Sequence, residues 1–180
     1  EEFIKTVKIL SPTFGGINLE DISAPDCFEI EERLKAELNI PIMHDDQHGT
    51  AIVSAAALLN ALELIGKNIT NIKVVINGAG AAATSCASIY LALGVQRENL
   101  FMYDSKGLIH EDRDDLDGRK KLFTNQNMPA TTVLEKALVG ADMFLGLSKA
   151  DILNEAMLQS MAKNCIVFAL ANTTRRVIKC

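Results

Sequence analysis

One segment constrains the fold of this chain more than any other: residues 72–93, where an apolar run meets a glycine turn and then an alanine-rich stretch. The β-branched run Ile72–Asn77 predicts a buried strand, and Ala81–Leu93 predicts a helix. Between them, Gly78-Ala79-Gly80-Ala81-Ala82-Ala83 fits the pattern G-x-G-x-x-A, in which helix N-terminal amides bind a pyrophosphate. The segment therefore predicts the first strand–helix unit of a dinucleotide-binding sheet.

The chain beyond this turn continues to alternate strand and helix patterns. Apolar strand patterns occur at Leu100–Asp104, Met143–Leu147 and Cys165–Leu170, with helical patterns at Val133–Val139 and Ile152–Met161. Such alternation is typical of an α/β fold, here a Rossmann-type parallel sheet covered by helices. The polar stretch between Gly107 and Gly118 predicts a loop, and Arg119–Asn125 predicts a short helix.

The first 65 residues follow a different pattern. They predict helices at Glu1–Leu10 and Asp26–Leu38, and short strands at Phe14–Leu19 and Pro41–Met43. A longer helix is expected over Thr50–Ile65. Because that helix is apolar nearly all round, we expect it to be buried.

Several polar residues follow the predicted strands of the second half, where the ligands of parallel sheets bind. Asp104 is expected to accept hydrogen bonds from the adenosine ribose hydroxyls, and its charge favours NAD because it repels a 2′-phosphate. Ser105 and Lys106 follow it, and Lys106 could instead hold a 2′-phosphate, so both NAD and NADP remain possible. Ser148 is a candidate near the nicotinamide, although a simple turn explains it almost as well. Asn172 is a candidate for the same reason, because it follows the predicted strand Cys165–Leu170.

Two acidic pairs, Glu20-Asp21 and Asp45-Asp46, also follow predicted strands. Carboxylates brought together repel one another unless a cation or protons separate them, and oxygen ligands suit Mg²⁺ or Mn²⁺. The alternative is a set of solvated acids and loop caps, with Asp45 or Asp46 capping the next helix. Flanking His44 and His48 could serve a softer metal, but histidines that only form hydrogen bonds are more common.

Composition excludes several classes of protein. Eighteen basic against 23 acidic residues give a net charge of −5, which argues against a nucleic-acid binder, and the basic run Arg119–Lys121 is interpreted as a solvated face. The apolar stretches are interrupted before the roughly 18 residues that a membrane helix needs, so no membrane partner is expected. Four cysteines without C-x-x-C spacing, and no signal-like segment at Glu1, favour a reduced, cytoplasmic protein.

Three strings in the first half of the sequence are distinctive: SPTFGGINLEDI at Ser11–Ile22, FEIE at Phe28–Glu31 and HDDQHGTA at His44–Ala51. Together they resemble the malic enzyme family, in its shorter prokaryotic-type branch. The similarity continues through Gly78–Ala83 and Asp104–Gly107, and it reaches FALAN at 168–172.

The resemblance implies oxidative decarboxylation of L-malate to pyruvate and CO₂, with NAD or NADP and Mg²⁺ or Mn²⁺. It implies Glu20, Asp21 and Asp46 as metal ligands, with Asp45 beside them as a catalytic candidate. Asn172 is implied as a residue of the substrate and dinucleotide site. Residues 1–46 are then expected to be the end of a substrate and metal domain, and residues 47–180 most of a dinucleotide domain. The family generally forms homo-oligomers.

Some residues depart from the family pattern. The family's general acid and base are a tyrosine and a lysine upstream of residue 1, and Tyr90 and Tyr103 match neither of these positions. After Asn172, the family's usual proline and acidic residue are replaced by Thr173 and Thr174. We therefore expect the isolated chain to bind nucleotide but to turn over malate poorly or not at all.

Two other readings remain at this point. One is a non-catalytic nucleotide-binding or assembly module derived from such an enzyme. The other is a different α/β dehydrogenase that acts on an amino or hydroxy acid. The two acidic pairs argue against the latter, since many such dehydrogenases need no metal.

Overall fold

The computed structural model describes residues 1–171, which divide into two units, Glu1–Thr50 and the chain from Ala51 onward. Within these residues the α-helices are α1 (Glu2–Leu10), α2 (Asp26–Glu37), α3 (Asp45–Ile65), α4 (Ala81–Leu93), α5 (Gly118–Lys121), α6 (Leu134–Leu138) and α7 (Glu155–Ser160). The strands are β1 (Ile17–Leu19), β2 (Ile42–His44), β3 (Val74–Asn77), β4 (Leu100–Asp104), β5 (Gly107–Leu108), β6 (Met143–Gly146) and β7 (Ile166–Ala169). The expected functional division after residue 46 stays a prediction.

The first unit is built around a parallel pair of short strands. β1 pairs with β2 in the register Ile17↔Ile42 and Leu19↔His44, and α2 supplies the crossover that parallel strands require. Its core consists of the buried side chains Ile4, Leu19, Leu34 and Ile42. Because the strands are parallel, the chain leaves both of them at the same edge.

The second unit contains a five-stranded sheet in the order β5-β4-β3-β6-β7. β3 is central and pairs in parallel with β4 and β6, so that Asn77 lies opposite both Tyr103 and Gly146. Val74 and Ile76 pack with residues of α3 and α4, whereas Val75 packs with residues of α6 and α7. Helices therefore cover both faces, which confirms the predicted α/β class. From β3 the chain first adds β4 on one side and later adds β6 on the other side, so the strand order changes direction between β3 and β6. Ligands of such folds bind at the carboxyl ends of the strands at this point.

The stretch predicted as a loop between Gly107 and Gly118 begins with a strand. β5 pairs antiparallel with β4 through Tyr103↔Leu108 and Asp104↔Gly107. A two-residue strand is too short to show the alternation by which strands are recognised in a sequence. Its pairing returns the chain past Asp104, so the residues that follow β5 lie beside that carboxylate.

Helix α3 differs from its prediction in two ways. It begins at Asp45 rather than Thr50, and acidic side chains are favourable in a first helical turn. It is also not buried all round: Ala51, Ala55, Leu58 and Leu62 are buried, but the opposite face is exposed, with Leu64 at 87%. The prediction that this helix is buried all round was therefore wrong, because many apolar side chains in proteins remain accessible to solvent.

By length and composition alone, α3 is long and apolar enough to cross a membrane. This differs from the expectation that every apolar stretch is too short. The core helices of soluble proteins pass the same test, so the finding is weak evidence for a membrane span.

Candidate dinucleotide and cation sites

The glycine turn after β3 has a conformation that suits glycine at its first position. Gly78 has a φ of +137°, and its amide donates a 2.8 Å hydrogen bond to the Tyr103 carbonyl. A Cβ at this position would lie 3.3 Å from the backbone carbon of Leu147. Backbone conformation and space therefore both restrict this position to glycine.

The turn leads into an uncapped helix N-terminus. Gly80 is the N-cap of α4, no side chain caps the first turn, and a Cβ at Gly80 would find no heavy atom within 4 Å. Ala83 is 2% exposed and lies in the core beneath the helix. The first amides of α4 are thus available to an anion, with open space for a phosphate in front of them.

Asp104, at the end of β4, already accepts hydrogen bonds at both carboxylate oxygens. Arg113 donates to them in a bidentate pair of 2.9 and 3.0 Å, the Lys120 ammonium lies 3.1 Å away, and the Lys106 amide donates at 2.9 Å. Burial alone would raise the pKa of Asp104, but these donors outweigh it and hold the pKa below its ordinary value. Asp104 is therefore ionised, and its charge is balanced by two cations.

Neither Arg113 nor Lys120 was predicted from the sequence to lie at this site. Lys120 belongs to the run interpreted as a solvated face, yet its side chain is only 26% exposed and pairs with Asp104. Arg113 lies in the stretch predicted as a loop, where hydrophobic periodicity carries no information. Lys106, the candidate for a 2′-phosphate, pairs through its ammonium with Asp115 at 2.6 Å. The carboxylate of Asp104 therefore gives no clear preference for NAD, because its charge is offset.

A cavity of about 530 Å³ adjoins this carboxylate. Its lining includes Asn77, Asp104, Ser105, Lys106 and Ser148, which come from the ends of β3 and β4 and from the segment after β6. Ser148 is exposed and follows Leu147, whose amide donates to the Asn77 carbonyl at 2.8 Å. The structure thus brings Asp104, Ser105, Lys106 and Ser148 to one cavity. Asn172 lies outside the described residues.

The acidic pairs of the first unit meet at the edge where β1 and β2 end. The amide of Asp21 donates a 2.9 Å hydrogen bond to Oδ2 of Asp46, which joins the two segments. Asp21 has a φ of +58°, a left-handed conformation that aspartate tolerates better than most residues. The two acidic pairs therefore lie close together at one edge of the strand pair, because parallel strands end on the same side.

The carboxylate of Asp45 lies over Gly49. A Cβ at Gly49 would lie only 2.3 Å from Oδ1 of Asp45, so a larger residue one helical turn further along α3 would require this exposed carboxylate to move. Asp45 and Asp46 both lie inside the first turn of α3. The glycine of the HDDQHG string therefore allows the Asp45 carboxylate to keep its present position.

The acidic side chains do not form a cage. Within residues 1–171, no group of three or more His, Cys, Asp or Glu side chains is arranged to hold a metal ion. Glu20, Asp21, Asp45 and Asp46 are exposed, and carboxylates without a counter-charge separate because they repel one another. The donors themselves, hard oxygens brought to one edge by backbone pairing, fit a divalent cation such as Mg²⁺ or Mn²⁺.

The comparison with protein families covers both units. The family model described as malic enzyme, NAD binding domain, matches residues 47–179, and the model described as malic enzyme, N-terminal domain, matches residues 1–35. The chain belongs to the malic enzyme family. The predicted family is thus confirmed.

Relatives with either nucleotide preference resemble this malic enzyme chain. The bifunctional malic/malolactic enzyme of Bacillus subtilis is 50% identical over 99% of this chain and 44% of that protein. The NADP-dependent malic enzyme of Salmonella typhimurium is 44% identical over 99% of this chain and 24% of that protein. The crystal structure of the NAD-dependent malic enzyme of Thermotoga maritima matches with a TM-score of 0.87 and 45% identity, over 95% of this chain and 46% of that one.

The chain spans less than half the length of these relatives. The tyrosines Tyr90 and Tyr103 both lie in the second unit. Tyr90 is fully buried, and burial raises its pKa well above the ordinary value; burial also raises the pKa of Tyr103 to about 12. The Tyr103 hydroxyl donates to the Thr132 carbonyl at 3.1 Å. Tyr90 therefore packs in the core of this unit, whereas Tyr103 also lines the cavity beside Asp104.

Proposed function

We propose that this chain belongs to an enzyme that converts L-malate to pyruvate and CO₂, with NAD or NADP and a divalent cation. The observation that carries the proposal is the hydrogen bond from the Asp21 amide to the Asp46 carboxylate, because it joins the two acidic pairs at one edge. A dehydrogenase without a metal has no evident need for four carboxylates there. This feature favours a malic enzyme over another α/β dehydrogenase.

The second unit would bind the dinucleotide. The free amides at the start of α4 would hold the pyrophosphate, and Gly78 and Gly80 leave room for it. Ala79, Ala81 and Ala82 complete the turn and the first helical residues. Asp104, Ser105 and Lys106 would face the adenosine ribose, and Ser148 the nicotinamide side of the cavity.

The first unit would hold the cation through Glu20, Asp21 and Asp46, with Asp45 beside them. When bound, the cation would supply Lewis-acid stabilisation of the charge that develops on the substrate, and the oxidised dinucleotide would supply the hydride acceptor. These acids, and the Asp21 amide that orients Asp46, are the chain's own contribution. We keep Asn172 as a candidate for the substrate and dinucleotide site.

The proposal is tested in the protein expressed from its complete gene. Reduction of NAD⁺ or NADP⁺ with malate and Mn²⁺ is followed in the wild type and in Asp46→Ala. We expect Asp46→Ala to lose Mn²⁺-dependent turnover by ~100-fold or more. Undiminished turnover in that variant would show that the acidic edge holds no essential cation, and the reading as another α/β dehydrogenase would replace this one.

Two further parts of the proposal concern the protein's context. We place it in the cytoplasm, in accord with Cys86 and Cys165, whose thiols form no disulfide among the described residues. We also propose a homo-oligomer, in accord with the exposed apolar side chains Phe3 and Leu10 on α1. Sedimentation of the wild type and of Leu10→Glu tests this assembly, which a monomeric wild type would exclude.

A further inference from the structure

A buried carboxylate lies beneath the acidic edge. Glu31, on α2, is 6% exposed, although glutamate is among the residues that are least often buried. It is separated in sequence from both acidic pairs, and no role in the proposed chemistry accounts for it. A buried acid requires hydrogen-bond partners, and those of Glu31 show what it holds in place.

Glu31 contacts both residues that flank the Asp45-Asp46 pair. Its Oε1 accepts a 3.2 Å hydrogen bond from the His44 amide, at the end of β2. The Nε2 atom of His48, in the first turn of α3, lies 2.9 and 3.0 Å from the two carboxylate oxygens. One carboxylate thus spans the junction from which Asp45 and Asp46 project.

The charge of Glu31 is maintained inside the unit. Burial favours the neutral acid, but hydrogen bonds from Lys35 and His48 outweigh it and hold the pKa of Glu31 below its ordinary value. The Lys35 ammonium lies 2.8 Å from Oε1 and is half-exposed. Glu31 therefore acts as an ionised acceptor for several donors at once, which a neutral amide cannot reproduce.

The imidazole of His44 gives a second, independent indication. It is fully buried, and within residues 1–171 neither of its ring nitrogens has a hydrogen-bond partner. Its Nδ1 lies 3.9 Å from Oδ2 of Asp46, the same oxygen that accepts from the Asp21 amide. An unpaired buried imidazole costs stability, and a small movement of the Asp46 carboxylate would bring it within hydrogen-bond distance of this ring.

We propose that Glu31 is a positioning residue of the cation site: it fixes the β2–α3 junction and thereby the direction in which His44 and Asp46 face. Glu31 itself does not touch the cation. It acts as outer partners of metal ligands do, by limiting the orientations of the ligand. This inference rests on the proposed function, because it requires a cation at Asp46.

The test is titration of the 180-residue chain with Mn²⁺, followed by the electron paramagnetic resonance signal of free Mn²⁺. We expect Glu31→Gln to weaken Mn²⁺ binding by ~10–100-fold. The matched control is Glu32→Gln, the same chemical change on the exposed neighbouring residue of α2, which should leave the affinity unchanged. Saturating Mn²⁺ should restore one bound ion per chain in Glu31→Gln.

The stoichiometry separates positioning from mere folding. A partly unfolded variant would bind fewer ions per chain at unchanged affinity, whereas loss of positioning raises the dissociation constant at full stoichiometry. If Glu31→Gln does not fold, His48→Leu removes one of the two flanking contacts, because leucine has no donor, while leaving Glu31 charged. We expect it to weaken Mn²⁺ binding by ~3–10-fold, corresponding to about one lost hydrogen bond.

The outcomes also separate this inference from the proposed function. Wild-type binding that Asp46→Ala abolishes, together with unchanged affinity in folded Glu31→Gln, would overturn the role of Glu31 and leave the cation site intact. Unchanged affinity in His48→Leu would do the same if Glu31→Gln cannot be prepared. A wild-type chain that does not bind Mn²⁺ would overturn both the cation site and the role of Glu31.

Discussion

The two candidate sites are built from different parts of the polypeptide. The dinucleotide site of the second unit consists mainly of backbone amides, fixed by the strand–turn–helix path from β3 through Gly78 to α4. The candidate cation site of the first unit consists of exposed carboxylates, of which Asp46 accepts a hydrogen bond from the Asp21 amide across the edge. The first amides of α4 are already positioned by the backbone, whereas the carboxylates would need a bound cation to bring them together. Substitutions should therefore act differently in the two units.

The largest effect is expected at the carboxylate that joins the acidic pairs. Asp46→Ala should weaken Mn²⁺ binding by ~100-fold or more, because it removes a charged ligand. The thermal midpoint should fall by only a few degrees, since Asp46 is exposed and the variant loses one hydrogen bond, from the Asp21 amide. Asp26→Ala, another exposed acid of the same unit, serves as the control in calorimetric titration. Equal affinities in the two variants would contradict the ligand role.

The next effect is expected at the glycine turn. Gly78→Ala should weaken NADH binding by ~10–100-fold and lower the free energy of unfolding by ~1–3 kcal/mol, because its positive φ and the nearby Leu147 backbone strain any side chain. The control is Gly118→Ala, at a glycine where a Cβ would meet no atom within 4 Å. NADH fluorescence and urea unfolding measure the two effects. A stable Gly78→Ala that binds NADH normally would refute the role of the turn.

A smaller loss of stability is expected where side chains enter the dinucleotide site. Asp104→Asn should lower the free energy of unfolding at pH 7 by ~1–2 kcal/mol, because it removes the anionic partner of Lys120 and one of the two anionic partners of Arg113, which keeps its pair with Asp115. Asp114→Asn is the control, at an exposed acid of the same loop. Urea unfolding that gives equal stabilities for these two variants would contradict this account.

The ion pairs of Asp104 should also make the stability of the fold depend on pH. The folded pKa of Asp104 lies below the unfolded value of about 3.8, so its ion pairs stabilise the fold fully above that value. This contribution is lost as the pH falls through the lower, folded pKa. The stability difference between wild type and Asp104→Asn should therefore be constant from pH 7 to about pH 5 and shrink below pH 4. A stability difference that grows on acidification would contradict a folded pKa of Asp104 below the unfolded value.

The smallest effect is expected at the rim of the cavity. Ser148→Ala should weaken NADH binding by about threefold, the magnitude of one neutral hydrogen bond. Ser160→Ala is a suitable control, because that hydroxyl donates to the Met157 carbonyl in α7 and does not line the cavity. Identical affinities for the two variants would show that Ser148 does not hydrogen-bond to the dinucleotide and serves only the turn after β6.

The same contrast explains how much of the molecule could be predicted. Helix α4 and strand β4 have the predicted limits, since residues 72–104 combine a strong apolar pattern with glycines at the required positions. The parallel sheet followed from the alternation of strands and helices. The helix predicted over Thr50–Ile65 begins five residues earlier in the structure, at Asp45. The acidic, polar segment that forms its first turn has no apolar periodicity, so the sequence pattern did not indicate that it is helical.

The site residues that were missed share one property: they act through long-range contacts. Arg113 and Lys120 reach Asp104 only because β5 folds back along β4. Glu31 reaches the Asp45-Asp46 junction only because α2 crosses over the β1–β2 pair. Periodicity and motif spacing describe local structure, so neither could indicate these partners. The FEIE string contained Glu31 but not the reason for its burial.

If one chain carries two separable binding sites, a substitution in one site should leave the other intact, and a crossed titration tests this most directly. Wild type, Asp46→Ala and Gly78→Ala are each titrated with Mn²⁺ and with NADH. We predict that Asp46→Ala loses Mn²⁺ binding and keeps NADH binding, and that Gly78→Ala does the opposite. Loss of both ligands from either folded variant, or a wild-type chain that binds neither ligand, would contradict the account.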